Sequence, residues 1–305
     1  MTALTPSARQ ERLRGFGIFL FALLLLAILD VVAKHLVQRY PPPFINMVRY
    51  VVILSMSVVL LWRHGLPITL DVPHRKLLLV RGVMMGTTGT CFSIALYLMP
   101  LAEATAIYFV SPLIVVMLSP WLLNERVTTR QWLAVIAGSG GMLLIVRPST
   151  NLPVAGAMLM LLAAISYAIL QILTRKVAGK VAMPQQFFCA AVVAVVMAVI
   201  PAPFYLPQQM PPPGDMALIV SLGFFSGGGQ YLLIKAFQKV PASVLAPFNY
   251  FQLLLAVIFG VVFFHQHPDA LALAGMCVIM GAGVSLTLPA FGGPPVAAVD
   301  TSRKQ

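Results

Sequence analysis

Ten stretches of this chain are each long and apolar enough to cross a lipid bilayer. They fall at approximately 15–37, 44–62, 77–99, 102–123, 130–147, 153–174, 185–206, 216–238, 243–264 and 270–289. A helix covers the hydrocarbon core with about 20 apolar residues. Glycine and proline interrupt several runs, which membrane helices tolerate. The breaks are polar or proline-rich: Pro41-Pro42-Pro43, Arg63-His64-Gly65, Asn124-Glu125-Arg126, Arg175-Lys176, Pro211-Pro212-Pro213 and His265 to Pro268. Pro100-Leu101 makes a tight hairpin of the third and fourth runs, and Val240-Pro241 splits the eighth from the ninth. The expected fold is an all-α integral membrane protein with ten transmembrane helices. Of the 305 residues, 60% are hydrophobic and 9% charged, where a soluble domain carries roughly a quarter charged. That shortage excludes a soluble enzyme, a nucleic-acid-binding domain and a disordered chain.

The N-terminus resembles a signal peptide, with Arg9, Arg12 and Arg14 before an apolar run. The run is too long for an h-region and ends in Asp30-Val31-Val32-Ala33-Lys34, so it reads as a retained first helix. Numbering the loops alternately puts fourteen Lys and Arg on the side of the N-terminus, among them Arg63, Arg75, Arg130, Arg175 and Lys239. Three, Lys34, Arg39 and Arg147, fall on the other. By the positive-inside rule both termini face the cytoplasm. The net charge of +12 then sets orientation and touches anionic lipid, with no nucleic-acid partner.

Sliding the chain on itself by 141 residues aligns Gly15 with Gly156, Pro43 with Pro184, Gly82 with Gly223 and Gly86 with Gly227. It also aligns Pro100 with Pro241, Gly140 with Gly281 and Pro148 with Pro289. That is more coincidence than 22 Gly and 24 Pro supply by composition. Each repeat holds five spans. Five is odd, so the second repeat enters the membrane from the opposite side, giving two inverted five-helix repeats. The segments are then a cytoplasmic N-terminal segment at 1–14, a first repeat at 15–148, a second at 153–289 and a disordered cytoplasmic tail at 290–305.

Several stretches carry a family resemblance: Leu-Met-Pro-Leu-Ala-Glu-Ala-Thr-Ala at 98–106, Ser111-Pro112, Leu-Leu-Asn-Glu-Arg-Val-Thr at 122–128, Gln131-Trp132 and the glycines from Gly138 to Gly141. With ten spans in two halves, the chain resembles the EamA-type members of the drug/metabolite transporter superfamily over roughly 15–289. Glu125 matches the glutamate that these domains carry at the end of helix 4. The second repeat departs, with Gln266 at the matching position. The resemblance implies export or exchange of small metabolites, with amino-acid exporters well represented, and a substrate cavity among helices 1, 3, 4, 6, 8 and 9.

Polar groups within hydrocarbon are functional candidates by default. Asp30 and Lys34 share a face of helix 1. Asp30 either takes up protons or contacts a substrate ammonium, or it forms an intrahelical pair with a snorkelling Lys34. Arg49 either attracts a carboxylate or reaches outward, and Arg81 reads as an anchor on the cytoplasmic side. Lys235 is a further charge within the spans. At mid-depth lie Thr88, Tyr108, Ser111, Ser166, Tyr167, Gln230, Tyr231, Asn249 and Gln252. These are candidate substrate contacts by their mixed donors, acceptors and flat apolar faces, or else helix–helix glue. Gly227, Gly228 and Gly229 allow either close packing or a bend of helix 8. Pro112 and Pro247 each free a carbonyl and could kink gating helices.

Three cysteines in apolar runs and five scattered histidines give no disulfide or metal pattern. No P-loop, His-Glu-x-x-His or Gly-x-Ser-x-Gly occurs, and no second intramembrane aspartate joins Asp30. No enzyme activity, cofactor or metal is therefore expected. The expected function is a secondary transporter in a bacterial inner membrane, exporting small metabolites, amino acids foremost, by alternating access. A lipid-handling protein or flippase, and a non-transporting scaffold or channel subunit, are the alternatives. Monomer and homodimer are both open.

Overall fold

A computed structural model describes residues 6–99, 104, 107–125, 127–146, 153–207, 209–252, 254–255, 258–259 and 270–290. The described chain is helical throughout. α1 is Pro6–Val37, α2 Pro42–Arg63, α3 Arg75–Leu98, α4 Ser111–Leu123 and α5 Thr129–Val146. α6 is Val154–Lys176, α7 Met183–Val199, α8 Pro213–Lys239, α9 Ala242–Leu245 and α10 Ala270–Ala290. Five segments are long and apolar enough to cross a membrane: Leu13–Val37, Pro42–Arg63, Arg75–Leu98, Val154–Lys176 and Pro213–Lys239. The Pro100-Leu101 hairpin, Gln266 and the tail lie outside the described residues.

Proline sets the helix boundaries. Pro42, Pro184 and Pro213 sit in the first turns of α2, α7 and α8, where the missing N–H is not needed. The seventh apolar run was expected to reach 206, but α7 stops at Val199 ahead of Pro201 and Pro203, and a 3-10 turn Ala202–Tyr205 follows. Prolines cannot continue the α-helical hydrogen-bond ladder. The ninth span likewise breaks at Pro247, where α9 passes into a 3-10 turn Ala246–Asn249. Pro112 falls in the first turn of α4, directly after a turn at Phe109 and Val110 that interrupts the helical residues 107–108 before it; the proline inside that helix is Pro120.

The helices pack mainly across the two halves of the chain. α1 lies on α8, α3 on α6, α2 on both α7 and α8, α3 on α7, and α5 on α10. The start of α1 meets the end of α8, because Gly15 abuts Lys239 and Val240. The end of α3 meets the start of α6, because Gly156 abuts Leu98 and Met99. α1 and α6 therefore begin at opposite ends of the bundle.

These contacts repeat at the spacing that the sequence showed. A Cβ at Gly82 would lie 2.6 Å from Val193 Cβ, and one at Gly223 would lie 2.6 Å from Val52 Cγ1. A Cβ at Gly86 would lie 2.7 Å from Met197 Sδ, as one at Gly227 would lie 2.9 Å from Met56 Sδ. Val193 and Met197 stand 141 positions after Val52 and Met56. Gly15 with Val240 and Gly156 with Met99 obey the same shift. One interface is thus built twice, α3 on α7 and α8 on α2. Its glycines are where one backbone approaches a neighbouring side chain, which is how membrane helices associate without a hydrophobic drive between them. Gly227 and Gly229 also abut Ile53 and Leu26, so the triple-glycine segment of α8 is a packing face within a continuous helix.

Replacing Gly223 with Val should destabilise the protein by about 1–3 kcal/mol through overpacking. Adding Val52→Ala should recover part of the loss, and Gly82→Val with Val193→Ala should behave alike. Thermal unfolding in detergent reads both cycles; additive single and double substitutions would contradict the contact.

Candidate functional site

A cavity of about 80 Å³ lies between the halves, walled by α1, α2, α3, α6, α8 and the chain on either side of α4 and α9. It holds a few waters rather than a typical small-molecule ligand. Both halves line it, with Leu26, Leu29, Asp30 and Ala33 from α1, Arg49 and Tyr50 from α2, and Tyr167 and Leu170 from α6.

The acidic pole is Asp30. Its Oδ2 accepts a 2.6 Å hydrogen bond from Gln252 Nε2, tying α1 to the residues that follow α9. Beside it stand two stacked tyrosines, Tyr108 and Tyr167, with centroids 5.3 Å apart; Phe92 meets Tyr108 edge-on at 5.0 Å. The basic pole is Arg49, only 6% exposed. Its guanidinium lies over the Tyr50 ring at 4.6 Å, and its Nε is sealed from solvent with no hydrogen-bond partner among the described residues. Thr88 Oγ1, on the same cavity, is sealed and unpartnered too.

Gly89 makes this arrangement possible. Asn46, Arg49 and Tyr50 share a face of α2 by helical spacing and clasp α3 at that glycine. The Gly89 carbonyl accepts from Ser93 Oγ (2.8 Å) and Asn46 Nδ2 (3.5 Å). Tyr50 Oη donates to the Met85 carbonyl at 3.0 Å. A Cβ at Gly89 would collide with Tyr50 Oη and Arg49 Nη2.

Both ends of the bundle carry polar ties. At the end where α1 begins, Asn124 adopts the left-handed conformation (φ 54°) and closes α4, a role that asparagine tolerates. The next residue, Glu125, accepts from Arg175 Nε at 2.9 Å. Its other oxygen accepts from Ser243 Oγ at 3.0 Å and Ser243 N at 3.3 Å. Arg175 Nη1 donates to the Phe237 carbonyl at 2.7 Å. The carboxylate links the ends of α4 and α6 to the start of α9, and Arg175 extends the network to the end of α8. Nearby, Lys239 pairs with Glu11, and that hydrogen bond holds the Glu11 carboxyl below its usual range. At the opposite end Tyr40 Oη donates to Asp215 Oδ2 at 2.6 Å, and Arg39 lies 3.6 Å from the same oxygen. The bond to Asp215 raises the Tyr40 phenol above its ordinary value.

Six of the ten expected substrate contacts line the cavity: Asp30, Thr88, Tyr108, Tyr167, Gln230 and Gln252. Four do not. Ser111 and Ser166 are buried away from it. Tyr231 packs on the Phe187 ring at 5.8 Å. Asn249 exchanges long amide contacts of 3.4 and 3.5 Å with Gln171 and donates to the Ala246 carbonyl. Arg81 differs from its expected anchoring role. It is 1% exposed, donating to Thr174 Oγ1 (2.8 Å) and the Gln186 carbonyl (3.1 Å), with Nη2 unpartnered. Lys235 is partly buried on α8 and Lys34 partly buried on α1. Tyr50, Gly89 and Ser93 were missed; the short spacing from Asn46 to Tyr50 and the glycines at 86 and 89 were the available signals.

The family of this fold is carried by the chain's own sequence. The chain belongs to the EamA-like transporter family, whose model matches it twice, over residues 13–147 and 154–288. It is similar to an S-adenosylmethionine uptake transporter of Rickettsia felis, 29% identical over 279 residues that cover 90% of this chain and 92% of that protein. It is also similar to the pseudopaline exporter CntI of Pseudomonas aeruginosa, 28% identical over 77% of this chain and 80% of the other. A solved crystal structure shares the fold with a TM-score of 0.78 at 20% identity, covering 90% of this chain and 98% of its own. The protein is a multi-pass membrane transporter of the drug/metabolite transporter superfamily and not an enzyme.

Arg175 and Arg81 should respond differently to substitution. Arg175→Met strands the Glu125 carboxylate and should lower stability by about 1–3 kcal/mol. Arg81→Met removes a buried charge that faces neutral acceptors, and should cost less. Thermal unfolding of the purified variants compares them; an equal or larger loss for Arg81→Met would contradict this account.

Proposed function

We propose that this chain is a secondary transporter that exports small amphipathic metabolites, amino acids foremost, by alternating access. The two inverted halves, 15–148 and 153–289, rock around the cavity that holds Asp30 and Arg49. Ten helices cross the bacterial inner membrane, and both termini face the cytoplasm because the lysines and arginines crowd the loops of that side. The single observation that carries this reading is a cavity lined by both halves with opposite charges on its walls. Charged groups inside hydrocarbon mark transport pathways. One named relative is an uptake transporter for S-adenosylmethionine and the other an exporter of pseudopaline, which supports a small-molecule substrate and leaves amino acids and export resting on the resemblance. A lipid-handling role has less support, because the charged groups line a cavity between the two halves.

In this reading Asp30 and the tyrosines beside it contact the substrate, with Thr88, Gln230 and Gln252 as polar partners. Ser111, Ser166, Tyr231 and Asn249 act at one remove, by holding the helices. The break at Pro247 is the hinge of the ninth span. The Glu125–Arg175–Ser243 network closes the cytoplasmic mouth, and the small cavity belongs to a closed state that must part to admit substrate.

Reconstitution into proteoliposomes with a panel of radiolabelled amino acids tests the reading. Saturable flux of at least one is expected, with Asp30→Asn reducing it about tenfold or more, the scale of one charge-assisted contact. No saturable flux in a well-folded preparation would refute transport of this class. An unchanged rate and pH profile in Asp30→Asn would remove Asp30 from the mechanism. For the closure, Glu125→Gln should speed labelling of a cysteine at Ser226 by an impermeant maleimide applied from the cytoplasmic side, in a background lacking Cys91, Cys189 and Cys277. An unaltered labelling rate would exclude the network as a gate.

A further inference from the structure

We infer that Arg49 is a carboxylate anchor, so that the site selects substrates by a carboxylate and not by the amine alone. The inference rests on the transport reading above and narrows it. Arg49 is nine-tenths buried on a cavity wall, makes no ion pair or hydrogen bond among the described residues, and leaves its Nε unsatisfied. Such a guanidinium costs a great deal of hydration free energy. Arg175 shows what this protein does with a partly buried arginine outside the cavity, giving it a carboxylate at 2.9 Å and a carbonyl at 2.7 Å. Arg49 is held differently. Its flat face rests on Tyr50, and the bare backbone of Gly89 provides the gap through which it lies across α3.

The remaining charge in the cavity is not paired with it. Asp30 accepts from Gln252 at 2.6 Å, and no ion pair within 4 Å joins it to Arg49. Two opposite charges kept apart on facing walls present a pair of poles. A guanidinium fork matches a carboxylate in two parallel hydrogen bonds. A dipolar ligand can place its carboxylate on Arg49 and its cationic group toward Asp30 and the tyrosine pair. Arg49 has no counterpart in the second half of the chain, where Ala190 stands 141 positions later. The anchor therefore belongs to the site and not to the repeated scaffold.

The experiment compares acid and amide forms of the same compound in proteoliposomes of the full-length protein. All common amino acids are screened first, and each one carried is then compared with its carboxamide at mildly acidic pH, which keeps both amines protonated. Wild type should prefer the acid by about 10- to 100-fold in initial flux at low concentration, the scale of a hydrogen bond to a charged group. Arg49→Gln should bring the two close to equality, and Arg49→Lys should keep part of the preference. A purely structural Arg49 would lower both fluxes together and leave their ratio intact, which overturns the anchor. Should Arg49→Gln not fold, the wild-type ratio decides alone, since equal flux of acid and amide overturns the anchor too. Flux of amides or simple amines without any acid overturns the anchor while transport stands. Flux of none of these compounds overturns the transport reading and the anchor with it.

Discussion

The close approach of helices at a few glycines is the constraint on which the rest of this molecule depends. In hydrocarbon there is no water to expel from between helices, so association rests on contact. Gly82 and Gly86 bring α3 against Val193 and Met197 of α7, and Gly223 and Gly227 bring α8 against Val52 and Met56 of α2. These crossings fix α3 and α8 at the centre, and α1 and α6 lie on their other sides. The cavity is what remains between them. Its walls include the helical turns just beyond the glycine contacts, at Thr88 and Gly89 on α3 and at Ser226 and Gln230 on α8. A side chain added at those glycines would displace the helices that define the site.

Charge is used in two ways in this interior, and its surroundings separate them. Glu125 joins three chain segments by satisfying three donors with two oxygens. Such an arrangement is saturated and can only hold or release. The cavity charges have spare valence. Asp30 accepts one bond from Gln252, and Arg49 leaves Nε unsatisfied. Arg81 is an intermediate case, with neutral acceptors on two nitrogens and one nitrogen left over. The same residue type is therefore fully tied at 175, partly satisfied at 81 and left bare at 49.

The helices were legible in the sequence because hydrocarbon imposes a length and a polarity on every span. α2, α3, α5, α6 and α10 begin and end within a few residues of their apolar runs. The seventh and ninth runs were not fully legible, because hydropathy does not register Pro201 or Pro247 as ends while the backbone does. The repeat was legible through glycines for a reason the structure supplies: the aligned glycines at 15 and 156, 82 and 223, and 86 and 227 face aligned neighbours, so exchange in either half is penalised alike, while Gly140 and Gly281 meet nothing within 4 Å. The site was half legible. Depth along the helix picked out Asp30, Thr88, Tyr108, Tyr167, Gln230 and Gln252. Depth carries no information on rotation, so Ser111, Ser166, Tyr231 and Asn249 were included although they face other helices. Tyr50 and Gly89 were missed because an aromatic or a glycine in an apolar run looks like ordinary packing. Arg81 misled because a cation near a helix start normally reaches for the interface, and here Thr174 and Gln186 draw it inward.

The Glu125 network has a consequence for the energetics of a machine made of two similar halves. Shifting each member by 141 positions turns Glu125 into Gln266, Ser243 into Ala102 and Arg175 into Lys34. The scaffold repeats, but this carboxylate clamp is written only once. In the proposed alternating-access cycle the two mouths are therefore bound by unlike chemistry, and the landscape between them is tilted. A tilt of that kind alters how long each state persists and how fast each half of a cycle runs. By detailed balance it enters the forward and reverse circuits equally. Net direction in a carrier without its own energy source is then left to the concentrations and potentials on either side, and the clamp acts on tempo alone.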